Sequence, residues 1–449
     1  MFFFQGCTLR YSFCRPLTQV ECGILRGYTR RISSMLDYKQ RLDWKSVCTL
    51  SNSPATEPLF PHLRNLRFVL ANKNDTKHLL YMPFPSLTTL TLFFDGDLQV
   101  TLGSLESLCK LSPNVTKLMI HVRCSDLAFG ECFFRNLCQW QNLRNVEYSG
   151  VPPDLNALGH VSCMPALTLF AFRLSSTIMD QITSSKSPLL VSNLRALTLA
   201  ADFLEPISLF LLRCRLPAIT DFSAFAETWL DKQDVSTFLT SVQTSGIEPT
   251  LQTLSLSQRH SSALGGDFQP VLGFEGLQPC MALSNLRRIN FDLEWMVDLK
   301  DDDLLAFAST WPHLEYLTIN VNWGWHTPGG ITPNGLLQLL QTCQSLSRVA
   351  LAIDTRGYTE CDLSPGSLGF TLPSNFSINV VDSAIEEECV PAIAAFFASI
   401  APSPNFSFHA SPDSTVRRFI YRERWDDVYK LANEAVRQRF LVSRILVRV

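Results

Sequence analysis

Eleven copies of one short pattern, h-P-x-L-x-x-L-x-h with h apolar and the proline often replaced, constrain this chain before any other feature does. They read FPHLRNLRF (60–68), FPSLTTLTL (84–92), SPNVTKLMI (112–120), WQNLRNVEY (140–148), MPALTLFAF (164–172) and VSNLRALTL (191–199). They continue as LPAITDFSA (216–224), EPTLQTLSL (248–256), LSNLRRINF (283–291), WPHLEYLTI (311–319) and CQSLSRVAL (343–351). A unit that recurs this way cannot bury its apolar face alone, so copies stack and each contacts its neighbours.

The first anchors are Leu63, Leu87, Val115, Leu143, Leu167, Leu194, Ile219, Leu251, Leu286, Leu314 and Leu346. Their spacings are 24, 28, 28, 24, 27, 25, 32, 35, 28 and 32, close to the leucine-rich-repeat period and longer late in the chain. Each copy ends in a period-two alternation, which predicts a short strand with Leu66 and Phe68 inward and Arg67 outward. Helical stretches separate the strands. Asp301, Asp302 and Asp303 precede Leu304, Leu305, Phe307 and Ala308, and acidic groups suit a helix start. Thr332-Pro333 reads as an N-cap with proline at the first helical position. The fold class that follows is α/β: a leucine-rich-repeat solenoid, a curved horseshoe with a parallel β-sheet on its concave face and helices on its convex face. Regular repeats also place an asparagine or cysteine in the turn after the strand. Asn322 takes that position once, and the rest of the ladder is degraded.

At 449 residues with 46% hydrophobic content, the chain can bury a long continuous core. A net charge of −3 favours neither nucleic acid nor an anionic membrane as partner. No apolar run reaches the ~18 residues of a membrane span, and the MFFF start is too short for a secretory core. The 14 cysteines include no C-x-x-C pair and read as free thiols of a reducing compartment. The expected location is cytoplasmic, nuclear or both.

Three regions follow: an N-terminal region or cap over 1–59, the repeats over 60–376, and a C-terminal repeat with a helical cap over 377–449. A solenoid needs its ends covered. SINVVDSAI (377–385) predicts one more strand and NFSFH another. A closing helix runs from about Glu423 to Phe440, with Trp425, Val428, Ala432, Ala435, Val436 and Phe440 on one stripe. Asp426 and Asp427 are placed at its start, and Arg437 and Arg439 at its end.

Tyr28, Arg30, Arg31 and Ile32, then Pro58, Leu59, Phe60, Pro61, Leu63 and Leu66, resemble F-box-like leucine-rich-repeat proteins of mushroom-forming fungi. VVDSAI (380–385), AFFASI and the Trp425–Val428 end resemble that family's closing region. The resemblance covers about residues 26–440. It implies a substrate receptor of an SCF-type ubiquitin ligase. PLTQVECGILRG (16–27) keeps Pro16 and Leu17 but no three-helix pattern, so the F-box itself is missing or diverged and 1–59 is at most its remnant. The alternative is a stand-alone leucine-rich-repeat scaffold unrelated to ubiquitin.

No phosphate-cradling loop, nucleophile elbow or H-E-x-x-H pair occurs. The expectation is therefore no enzyme, no cofactor, no metal and no catalytic residue. The expected partner is a protein target on the concave face or loops, with the SCF adaptor if an F-box exists. The outward positions proposed to contact it are Arg67, Phe93, His121, Glu147, Arg173, Arg288, Asp292, Tyr316, Asn320 and Arg348. Trp323 and Trp325 join them as two exposed aromatics beside glycines, since aromatics are enriched at interface hot spots. The segment 259–270 reads as a projecting loop that adds contacts.

Overall fold

The structure is a computed structural model that describes residues 18–37, 58–70, 82–94, 102–122, 127–184, 189–191, 193–259, 270–326, 330–358, 372–401, 407–409 and 416–446. The chain divides into two compact units, residues 1–200 with 213–218, and residues 201–212 with 219–449.

In the first unit the strands Ser34–Asp37, Asn65–Leu70, Thr89–Phe94, Lys117–Val122, Asn145–Ser149, Leu169–Arg173 and Ala196–Ala201 pair in parallel, in chain order. The register aligns equivalent repeat positions: Arg67 faces Thr91, Thr91 faces Met119, and Met119 faces Glu147. Alternation then sends Leu66, Phe68, Leu90, Leu92, Leu118 and Ile120 into the core. Helices Leu102–Leu111, Leu127–Leu137, Leu155–Ser162 and Ser176–Ser184 alternate with the strands. The residue after each anchor supplies a recurring backbone link. Arg64 O accepts from Thr88 N and Thr89 N, both at 2.9 Å, and Thr88 O accepts in turn from Thr116 N and Lys117 N at 2.9 and 3.0 Å. Backbone groups that would otherwise be stranded between repeats are thereby satisfied.

In the second unit Asp221–Ala226, Thr253–Gln258, Arg288–Asp292, Tyr316–Ile319, Arg348–Ala350, Ser377–Asn379 and Ser407–His409 continue the same parallel scheme. All eleven anchors, across the two units, are at most 3% exposed. Burying one such side chain contributes about 1.5–3 kcal/mol, so the leucine period is also the main stabilising pattern. Tryptophan strengthens one slot in each unit. Trp140 Nε1 donates to Ser112 O at 3.0 Å, and Trp311 Nε1 donates to Leu283 O at 3.0 Å, each reaching the first position of the copy before it. The α/β leucine-rich-repeat arrangement expected from the spacing is the one found.

Helix starts follow their caps. Thr332 accepts from Gly335 N with Pro333 at the first turn, as expected. Asp231 caps Lys232–Thr244 in a reciprocal pair with Asp234. Asp303 accepts from Lys300 N, but Asp301 turns to the next repeat and binds Thr332 through its N–H and its hydroxyl, both at 2.7 Å. Leu305 is exposed because it lies off the stripe that Leu304, Phe307 and Ala308 bury.

At the N-terminal side, Gln19–Thr29 is a helix with a Thr18/Glu21 capping box, and the Ser34–Asp37 strand extends the first sheet by one member. The closing helix is longer than expected, Val416–Leu446. Asp426 and Asp427 therefore lie inside it rather than at its start. Arg437 and Arg439 likewise sit before its end. Arg439 instead donates to Ala398 O and Ala401 O, the carbonyl end of helix Val390–Ile400. Trp425, Val428, Ala432 and Val436 form the buried stripe, whereas Ala435 is exposed. The side chain of Phe440 lies outside the described residues. No described helix is long and apolar enough to cross a membrane.

Candidate interaction face

Outward positions of the strands stand in rows, because parallel register stacks equivalent residues. In the first unit, one row runs Val69, Phe93, His121, Ser149. The Arg67 guanidinium lies 4.6 Å from the centre of the Phe93 ring. Phe93 stacks on His121 with centroids 4.5 Å apart and planes 16° from parallel. His121 Nδ1 shares a hydrogen bond with Ser149 Oγ at 2.9 Å. Beside this stack Lys117 and Glu147 form an ion pair at 3.0 Å. Partial burial first, and the Arg67 charge second, hold the His121 imidazole below its ordinary 6.5, while Glu147 pulls the other way. Arg173, half-buried, stands further along in register with Ala200 and is engaged within the fold.

In the second unit Arg288, Tyr316 and Arg348 occupy one row. Their guanidiniums lie 4.8 and 5.3 Å from the centre of the tyrosine ring between them. Glu315 gathers the neighbouring charge, accepting from Arg287 at 3.2 Å and from two nitrogens of Arg288 at 3.3 and 3.1 Å. Arg348 has no carboxylate partner among the described residues. A second row adds neutral polarity. Asn290 Nδ2 donates to Ser255 Oγ at 3.0 Å, and Thr318 Oγ1 donates to Asn290 Oδ1 at 2.6 Å.

Four expected contact residues are placed differently. Asn320 is fully buried, with its backbone in the left-handed region at φ 51°. That turn ends the strand alternation one residue after Ile319 and swings the side chain inward. Its Oδ1 accepts from Leu293 N at 2.9 Å, and its Nδ2 donates to Trp295 O at 2.8 Å. Asn320, not Asn322, is thus the turn asparagine of this repeat. Asn322 is exposed and donates its N–H at 3.1 Å to Asp292, whose buried carboxylate also takes the Asn322 amide. Trp325 is fully buried, donating from Nε1 to Ile319 O at 3.0 Å and from its backbone to Asp382 at 2.8 Å. Trp323 is half-buried and engaged within the fold. The exposed tryptophan pair expected here does not exist.

The expected residues therefore fall into two outward clusters, Arg67/Phe93/His121/Glu147 and Arg288/Tyr316/Arg348. Sequence reasoning passed over Ser149 and Glu315. Ser149 occupies the same place after its copy as Phe93 and His121, so the signal was present. Glu315 directly follows the anchor Leu314, outside the alternation. The segment 260–269 lies outside the described residues. A cavity of about 360 Å³ in the second unit, bordered by Lys232, Phe274, Trp295, Asp298 and Lys300, carries no hydroxyl, thiol or imidazole side chain in its lining. No group of three potential metal ligands occurs among the described residues.

No protein-family model matches the chain, and no curated protein matches it. Among solved structures, the leucine-rich repeat-containing protein LegL7 from Legionella pneumophila is similar at 13% identity, over 81% of this chain and 98% of its own, with a TM-score of 0.38. A protein from Bacteroides fragilis is similar at 15% identity over 52% of this chain and 66% of that chain, with a TM-score of 0.29. The assignment rests on the chain's own geometry: buried anchors at each copy, parallel register and alternating helices. The fold is that of a leucine-rich-repeat protein.

Proposed function

We propose that this chain is a protein-interaction scaffold that holds its partner against the outward face of its parallel sheets. The observation that carries this reading is the Arg288–Tyr316–Arg348 row, where a solvent-facing aromatic ring is flanked by two guanidiniums, one of them without a carboxylate partner among the described residues. Tyrosine and arginine are the residue types most often found at interface hot spots. In a merely solvated sheet face there is no need to order them together. The scaffold works without catalysis, cofactor or metal of its own, in the cytoplasm or nucleus.

The finer reading is a substrate-recognition part of an F-box-type SCF ubiquitin ligase receptor. The likeness of Tyr28–Ile32 and of the first copy to fungal F-box-like proteins supports it. The test is affinity purification of the tagged full chain under native conditions. Recovery of the SCF adaptor and cullin together with a further protein is expected. Recovery of a stable protein partner without adaptor or cullin would leave the scaffold and remove the ligase, in favour of a stand-alone role.

A further inference from the structure

Among the eight described cysteines, five are buried and Cys22 is half-buried; Cys138 and Cys163 alone are exposed, and they are neighbours. Cys138 follows helix Leu127–Leu137, and Cys163 caps helix Leu155–Ser162 in the following repeat. Both lie against one oxygen, the His160 carbonyl: Cys138 Sγ at 3.8 Å and Cys163 N at 3.2 Å. The repeat stacking thus brings the Cys138 thiol to the end of the helix that Cys163 caps in the next repeat, where solvent reaches both residues. A disulfide needs Cα atoms roughly 4.4–6.8 Å apart; the Cys138 thiol already reaches the carbonyl that the Cys163 N–H caps, so closure requires the Cys163 side chain to turn onto it.

We propose that Cys138 and Cys163 are a redox modification site that closes into a reversible disulfide between consecutive repeats. The oxidant is a low-molecular-weight disulfide such as oxidised glutathione. Cys163 loses its proton, and its thiolate attacks one glutathione sulfur. The sulfur–sulfur bond of glutathione breaks, and one glutathione leaves and takes up a proton. Cys138 then gives up its proton and attacks the Cys163 sulfur of the mixed disulfide, and the second glutathione leaves as a thiol. Two protein thiols are oxidised by two electrons, and one small disulfide is reduced to two thiols. Partial burial first, and the nearby Cys163 second, raise the Cys138 thiol above the ordinary range and keep it mostly protonated, so its attack is placed second, where the mixed disulfide is held within the same molecule. The bond ties the ends of two helices and leaves the outward face of the sheet untouched.

Tryptic cleavage separates the two residues cleanly, since 136–144 carries Cys138 and 145–173 carries Cys163 as their single cysteines. The native full-length chain is treated with oxidised glutathione, its remaining thiols are alkylated, and the digest is examined by mass spectrometry without reductant. The expected product is 136–144 linked to 145–173, lost on dithiothreitol treatment. Cys138→Ser is expected to accumulate glutathione on Cys163, and Cys163→Ser to leave Cys138 free. Recovery of the two peptides unlinked from the wild-type chain, whether alkylated or each carrying glutathione, overturns the proposal. So does a link from either one to a third cysteine.

Discussion

The side chain of Asn320 accepts a hydrogen bond from the backbone N–H of Leu293 at 2.9 Å, joining positions 27 residues apart. The same amide donates to Trp295 O, so one buried side chain satisfies both a donor and an acceptor of the preceding turn. Asparagine also tolerates the left-handed backbone better than most residues. Asn320→Ala leaves both backbone groups unpaired in a dry interior and strains the turn. The expected cost is about 2–4 kcal/mol. It is read as a lower urea midpoint with unchanged far-ultraviolet circular dichroism before the transition. A midpoint equal to wild type would show that the turn closes without this amide.

Trp311 carries a related cross-repeat bond to Leu283 O at 3.0 Å. Trp311→Phe keeps an aromatic ring in the slot but removes the donor and some volume. A loss of about 1–3 kcal/mol is expected. Hydrogen exchange should become faster around Leu283 and in helix Asp301–Thr310. Unchanged protection there would mean that the ring alone, and not its N–H, holds the slot.

These two sites differ in how far local sequence reveals them. The anchors were legible because a leucine every repeat has one physical explanation, a shared core, and alternation then orients Leu66, Arg67 and Phe68. One further copy was read as a strand but not as a copy of the pattern. In LPSNFSINV (372–380), the buried Phe376 stands two residues before Ile378, where regular copies have three, so the template fails although the strand pairs in register. Asn320 and Asn322 were exchanged because period-two counting assumes extended backbone and cannot foresee a left-handed residue. Trp325 was misplaced for another reason. Its backbone partner Asp382 is 57 residues away, and no nearby pattern signals that contact.

His121 makes the first unit sensitive to mild acid. Its folded-state value is lowered, so between that value and the ordinary 6.5 the unfolded chain binds more protons than the folded one. Stability therefore rises with pH across this window. The contribution is complete above 6.5 and is lost as pH falls through the folded value. Imidazole resonances followed by nuclear magnetic resonance should titrate below the free-histidine range. Arg67→Gln should move that titration upward, and Glu147→Gln should move it further down. If Arg67→Gln leaves it in place, the guanidinium above Phe93 is not what the imidazole senses.

Arg348 separates binding from folding most cleanly. It is exposed, and its contact with the Tyr316 ring involves no carboxylate among the described residues, so Arg348→Ala should change stability by no more than ~0.5 kcal/mol. If the outward face holds a partner, the same change should weaken binding of whatever protein the wild-type chain captures by tenfold or more, about 1.4 kcal/mol. Arg288→Ala makes an instructive contrast. Its guanidinium already neutralises Glu315, and removing it leaves that carboxylate beside Arg287 alone. A captured partner that is acidic should lose affinity in both variants, with the Arg348 change more sensitive to salt, because no carboxylate among the described residues screens it. Equal binding by wild type and Arg348→Ala, measured by titration calorimetry at two salt concentrations, would move the interaction off this row.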